Sequence, residues 1–242
     1  MCQSGLLSVI QLEKSHKTFM RKLLAAFAIL LTPALYGAPD LSGIWLLDGP
    51  GTESEILLTA EGQRLQSEYD LLVDDPSLQC IPASASRVWA NPNSRIKIEK
   101  FDERLLISYE LFDLRREIPI GNASALTDSP STRNVSGTFF PEMGSSFAYY
   151  EGDSLVIESR NHVHGYIRTS RGIPQGSNTA TREVLELVGD GLKITHTYTD
   201  SNLYEQPLVL EYFYRRLDET EILLYECTGA DYDWFLELND NN

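Results

Sequence analysis

The chain of 242 residues carries 20 Lys/Arg against 35 Asp/Glu, a formal net charge of −15, and 42% of it is hydrophobic. That length suffices for one domain with a sizeable core, and so acidic a surface argues against nucleic acid or an anionic membrane as partner, because both need a positive footprint. Dinucleotide, phosphate-loop, Gly-x-Ser-x-Gly and His-Glu-x-x-His fingerprints are absent, so no catalytic motif stands alone.

The first 37 residues read as a signal peptide. Arg21 and Lys22 precede an uninterrupted apolar run from Leu23 to Leu31, followed by small residues suited to cleavage at Thr32-Pro33-Ala34 or Leu35-Tyr36-Gly37. The run falls short of the ~20 apolar residues that span a bilayer. The expectation is a periplasmic or secreted protein with no stable membrane insertion after cleavage. Residues 1–19 fit neither signal nor domain and point to a start at Met20, and 38–242 form the expected single domain. Removing 1–34 takes away four Lys/Arg and one Asp/Glu, so the remaining 16 and 34 give a net charge of −18. Cys80 and Cys227 are then the cysteines left. In an oxidising compartment one disulfide between them is the economical arrangement, and two buried thiols are the alternative.

Residues 41–47 open the domain as a strand with apolar side chains on both faces, and 55–58 extend the sheet. The period then changes. Leu58, Leu65, Tyr69 and Leu72 fall at helical spacing, with Thr59 as N-cap, and Asp74-Asp75-Pro76 ends the helix. Residues 80–87 read as an irregular connector in which Arg87 clamps loop carbonyls or meets a carboxylate. Ile96 and Ile98 alternate into an Asp102-Glu103 turn, Leu105, Ile107, Tyr109 and Leu111 answer them, and 115–120 adds a short strand. A polar loop over 121–144 follows, of the kind that often carries function. Ser146 to Ser159 is a hairpin about Glu151-Gly152-Asp153, where Gly152 supplies the positive φ of a tight reversal. A second hairpin over 160–180 carries His162, His164, Tyr166, Arg168 and Arg171. Glu183, Leu185 and Leu187 pair across Gly189-Asp190-Gly191 with Leu192, Ile194, His196 and Tyr198. Leu208, Leu210, Tyr212 and Tyr214 form the next strand, and 222–227 the last. About ten strands and one short helix near the N-terminus make an all-β antiparallel meander, which at this size closes or curls into a barrel to protect its edges.

Several short motifs recur in a fixed order: Ser42-Gly43-Ile44-Trp45, Asp75-Pro76 with Cys80-x-Pro82 and Arg87, Glu110 with Arg115-Arg116, Tyr150-Glu-Gly-Asp-Ser-Leu-Val156, Gly172-x-Pro174 with Ser177, and Tyr204-x-x-Pro207. Together they resemble a family of exported bacterial proteins of uncharacterised function with an SGxW opening, a DP…CxP…R segment and a WEGDTLVV hairpin. The resemblance covers essentially all of the expected mature chain. It implies an antiparallel barrel, lipocalin-like in general shape, and supports a Cys80–Cys227 bridge. Tyr150 stands where the pattern has Trp, and Ala83-Ser-Ala-Ser86 lacks its Gly and Pro.

His162-x-His164, with Glu158 four residues upstream, is the sharpest chemical cluster. Alternate residues of a strand project to one side, so two imidazoles and a carboxylate can converge on a zinc-like ion, the one cofactor the residues suggest. Glu110 with Arg115 or Arg116 reads as a carboxylate-anchoring pair or as a structural ion pair at a strand end. Trp45, Trp89, Phe112, Phe147, Tyr149, Tyr198, Tyr212 and Tyr214 either wall a pocket or fill an ordinary core. The leading expectation is a monomeric exported barrel that binds a small apolar or amphipathic molecule, with Glu110, Arg116, Tyr149, His162, His164, His196 and Tyr198 at the ligand. A lyase, isomerase or hydrolase using His162, His164 and Glu158 or Glu110 is the alternative, and a structural envelope protein with a packed core is the third.

Overall fold

The computed structural model describes residues 39–229, and the leader expected at 1–37 lies outside the described residues. The alternating apolar runs form the anticipated ladder. β1 (Gly43–Leu47) is followed by the two-residue β2 (Thr52–Glu53), then β3 (Arg95–Lys100), β4 (Arg104–Tyr109), β5 (Leu114–Pro119) and β6 (Thr132–Asn134). The second half contributes β7 (Ser145–Glu151), β8 (Ser154–Arg160), β9 (Gly165–Arg168), β10 (Ile173–Gln175), β11 (Ala180–Val188), β12 (Gly191–Thr199) and β13 (Leu208–Leu217). Gly152 and Gly189 take the positive φ their turns require, at 58° and 60°.

Eleven strands join one antiparallel sheet in the order β6-β5-β4-β3-β1-β13-β12-β11-β8-β7, with β2 beside β13, while β9 and β10 pair separately. Apart from that pair and from β2, neighbours in the sheet follow one another in the chain, and β1 and β13 lie side by side. The order is therefore that of an up-and-down meander rolled on itself, with its break between β6 and β7. The ladder is not closed at that break. Its edges meet through one parallel bridge, Ile120 with Ala148, and through the Gly121 N–H donating to the Ala148 carbonyl at 2.8 Å. Inward positions of the long strands are buried, as in Leu192, Ile194, His196 and Tyr198 on β12 and Leu208, Leu210, Tyr212 and Tyr214 on β13.

Three elements depart from expectation. The helix expected over 59–72 is two pieces, α1 (Ala60–Glu68) and the single turn α2 (Leu71–Asp74), because Tyr69 turns extended and Asp70 starts a new cap by accepting from the Leu72 N–H. Thr59 caps α1 as read, and Gly62 has a packing reason: a Cβ there would lie 2.3 Å from the Leu203 carbonyl oxygen. The 80–87 connector contains a helix, α3 (Ala85–Trp89), capped by Ser84 accepting from the Arg87 N–H. It is short and nearly all buried, so it lacks the amphipathic period that announces a helix. Residues 222–227 form no strand. Three of their N–H groups go to side chains instead, Leu223 donating to Glu110 and Tyr225 and Glu226 to Asp113. This strap is pinned by the disulfide between Cys80 and Cys227. Likewise 55–58 offers a single bridge, Leu58 with Tyr204, and the strand lies earlier, at β2. Among the described residues no helix is long and apolar enough to cross a membrane.

Candidate functional site

The interior of the rolled sheet is not uniformly apolar. Strand alternation turns Leu114, Arg116 and Ile118 of β5 inward, as it does Thr181, Glu183 and Leu185 of β11. Arg116 and Glu183 meet there with no exposed surface on either side chain. The pair is bidentate: Nη2 donates to Oε1 at 2.7 Å and Nη1 to Oε2 at 3.1 Å. Trp89, carried in on α3, donates its indole N–H to Oε2 at 2.6 Å. Nη2 also reaches the Ser146 and Ser159 hydroxyls, each at 3.0 Å, and those two oxygens lie 2.8 Å apart. Residues from β5, β7, β8, β11 and α3 thus share one polar knot at the bottom of a hydrophobic core. Burial on its own would raise the Glu183 carboxyl, but the Arg116 charge and its hydrogen bonds prevail and hold it at about 2. An uncompensated charge at this depth would cost several kcal/mol, on the order of 3–5, which is why both partners are needed.

His196 sits beside this knot, directly across the β11–β12 ladder from Glu183. It is fully buried, its ring stacks on Tyr198 with centroids 4.4 Å apart and planes at 23°, and neither ring nitrogen has a hydrogen-bond partner among the described residues. Desolvation lowers it to about 4 although Glu183 pulls the other way, so the imidazole is neutral over the physiological range. Further buried polar atoms without partners are the Tyr109 hydroxyl, the Thr181 hydroxyl and Arg116 Nε. Tyr198 is engaged, accepting from the Ser86 N–H at 3.2 Å.

The residues singled out for a metal do not come together. β8 ends at Arg160 and Asn161 takes a φ of 60°, so the even spacing from Glu158 to His162 is not carried by one continuous strand. Glu158 accepts from the Tyr149 hydroxyl at 2.8 Å and contacts Arg160. His162 is buried with Nδ1 at 3.2 Å from the Glu142 carbonyl, and desolvation lowers it to about 4. His164 is exposed on a cleft with Glu61, Leu65 and Asp200. Among the described residues no three His, Cys, Asp or Glu side chains are placed to hold an ion. Tyr149 belongs with Glu158 and stacks on Phe147, while Ala148 between them faces the core, so Tyr149 lies on the sheet's other face.

Glu110 pairs with neither Arg115 nor Arg116. It accepts from the backbone N–H of Arg95 at 2.8 Å and of Leu223 at 3.0 Å, with the Arg95 guanidinium 3.5 Å away. Asp113 does the same for the next residues, so this acidic corner holds the strap. Arg87 meets the Asn91 amide oxygen at 3.2 Å. Sequence reasoning missed Glu183, Ser146 and Ser159 as members of the knot. The available signal was a glutamate in the apolar phase of the run Thr181, Glu183, Leu185, a position where a charge must find a buried partner.

No protein-family profile matches the chain, and no curated protein does. Solved structures that resemble it include the wild-type fluorescent protein UnaG, with 14% identity over 73% of this chain and 97% of that one and a TM-score of 0.37. The REP1-NXSQ fatty acid transporter is 12% identical over 75% and 98%, TM-score 0.38, and a zebrafish ileal bile acid-binding protein complexed with cholic acid is 12% identical over 73% and 98%, TM-score 0.36. Likeness this remote carries no argument about what this chain binds.

Proposed function

We propose that this is an exported protein that binds a small amphipathic molecule, with the ligand's polar group against His196 inside the rolled sheet. One observation carries the reading: His196 is fully buried and both its ring nitrogens lack partners among the described residues. Leaving a buried donor or acceptor unpaired costs about 1–3 kcal/mol, and a ligand hydroxyl, carbonyl or carboxyl recovers that loss on binding. The hydroxyls of Tyr109, beside Arg116 and Glu183, and of Thr181, opposite Tyr198, extend the polar surface. The Cys80–Cys227 bridge supports an oxidising destination, in line with the leader read from the sequence.

The test is native mass spectrometry of protein purified under gentle conditions, alongside His196→Leu. The expected result is an organic mass on the wild-type chain that is absent from the variant, with a melting temperature raised by the extracted compound only in the wild type. A ligand-free mass for the wild type, or a mass retained by the variant, refutes the reading. A second reading rests on the same imidazole, held neutral next to an ionised carboxylate, as a proton acceptor in an acid–base reaction. Turnover abolished by His196→Leu distinguishes it from simple binding.

A further inference from the structure

A second site lies apart from the interior knot, where the loop after β1 and the chain after α3 face the end of β9. A cleft of 550 Å³ is lined there by Leu47, Pro50, Gly51, Pro92, Arg168 and Tyr212, and it adjoins one of 390 Å³ that shares Ala90, Pro92 and Arg168 and adds Asp75 and Arg87. Tyr212 forms the floor of the larger cleft. It is 1% exposed, and its hydroxyl has no hydrogen-bond partner among the described residues. Gly51 packs its backbone directly on this ring: a Cβ there would lie 2.6 Å from Tyr212 Cδ1.

The charges are unusual for so acidic a chain. Arg168 stands with its guanidinium 5.9 Å from the Tyr212 ring centroid, and its Nε is buried without a partner among the described residues. Its nearest carboxylate, Glu53, is 3.7 Å away and already committed to Arg171 through contacts of 2.6 and 2.7 Å. Arg87 has a neutral partner, the Asn91 amide, and among the described residues no carboxylate within 4 Å. Asp75, the acid on this wall, spends one carboxylate oxygen on the N–H and hydroxyl of Ser77. Arg168 therefore borders both clefts: the larger is walled by Leu47, Pro50, Ala90 and Pro92 over the Tyr212 ring, and the smaller carries Arg87 beside Asp75, Thr169 and Ser170.

We infer that this cleft binds a small anion carried on a flat apolar body, an arene carboxylate or its chemical equivalent, with the anionic group on Arg168 and the ring against Leu47, Pro50 and Pro92. Guanidinium and carboxylate match in planar, two-bond geometry. The site shares no residue with the His196 reading and does not rest on it.

The experiment is calorimetric titration of the purified protein with 1-naphthoate and with its neutral isostere 1-naphthamide. The expected result is naphthoate binding at least about tenfold tighter, a preference that Arg168→Gln abolishes and Arg87→Gln weakens, because charge-assisted bonds to one guanidinium account for that factor. His196→Leu leaves the preference intact, which separates this site from the interior one. Equal affinity for the two probes, no heat with naphthoate at millimolar concentration, or a preference that survives Arg168→Gln overturns the inference. Should Arg168→Gln fail to fold, amide shift mapping on the unmutated protein decides: naphthoate-induced shifts at Gly51, Asn93 and Arg168 support the site, and shifts confined elsewhere refute it.

Discussion

Glu183 and Glu110 are both withdrawn from water, at 0% and 7% exposure, yet they are satisfied in opposite ways. Glu183 answers a full positive charge: Arg116 grips both oxygens, Trp89 adds a third donor, and the partners come from elements up to 94 residues apart. Glu110 answers mainly backbone N–H groups, one on β3 and one on the strap, with the Arg95 guanidinium 3.5 Å away, and so clasps the strap to the end of β4. The difference teaches where cooperativity resides. A knot tied between β5, β7, β8, β11 and α3 cannot loosen without opening the core, whereas the strap can lift from a sheet that stays paired.

The largest expected effect tests the knot. Arg116→Met or Glu183→Leu alone strands a buried charge and should cost about 3–5 kcal/mol in urea unfolding, while the double variant recovers most of that loss because no charge is left unpaired. Additive losses in the double variant would show that the pair is not the unit described. Next comes the strap. Replacing both Cys80 and Cys227 by Ser opens a closure with a sequence separation of 147 and should cost about 2–4 kcal/mol. Hydrogen exchange should then quicken at Leu223, Tyr225 and Glu226 while β11 to β13 remain protected. Loss of protection in β12 would erase the proposed independence of the two regions.

The smallest effect per step is the dependence on pH. Burial holds His162 and His196 at about 4 against an ordinary 6.5, so the unfolded chain binds protons that the folded one refuses. Their contribution is complete above pH 6.5 and declines as pH falls toward 4, by up to about 1.4 kcal/mol per pH unit for each. Glu183, held at about 2 against 4.5, adds a further loss as pH falls from 4.5 through 2. Denaturant midpoints followed from pH 7 to pH 4 should fall in wild type, fall less steeply in His196→Leu, and keep the wild-type slope in the Cys80→Ser/Cys227→Ser variant. A flat profile between pH 6.5 and 4 would contradict the burial of these imidazoles.

Much of this fold was legible because it is local. Alternation at Ile96/Ile98, Leu105/Ile107/Tyr109 and Leu192 through Tyr198 decides strand and inward face together, and Gly152 and Gly189 mark reversals that few other residues accept. The residues of the metal reading lie apart for an equally local reason: a strand's parity does not carry past Asn161, where the backbone turns left-handed. The sequence sets Arg116 near Glu110, and the structure gives it another partner. Arg116 lies six residues from Glu110 in the chain, and 67 from the glutamate it grips.

Composition and periodicity by themselves determined an acidic, antiparallel meander with two cysteines suited to one bridge, since those properties depend on side-chain spacing along one strand at a time. Only the tertiary structure decided which inward polar residues share a layer. That follows from how the sheet rolls and where its edges meet, at Ile120 and Ala148, and from α3 delivering Trp89 to Glu183. A strand's own pattern says which way a side chain points; what it meets there depends on the register and curvature of strands on the far side of the core.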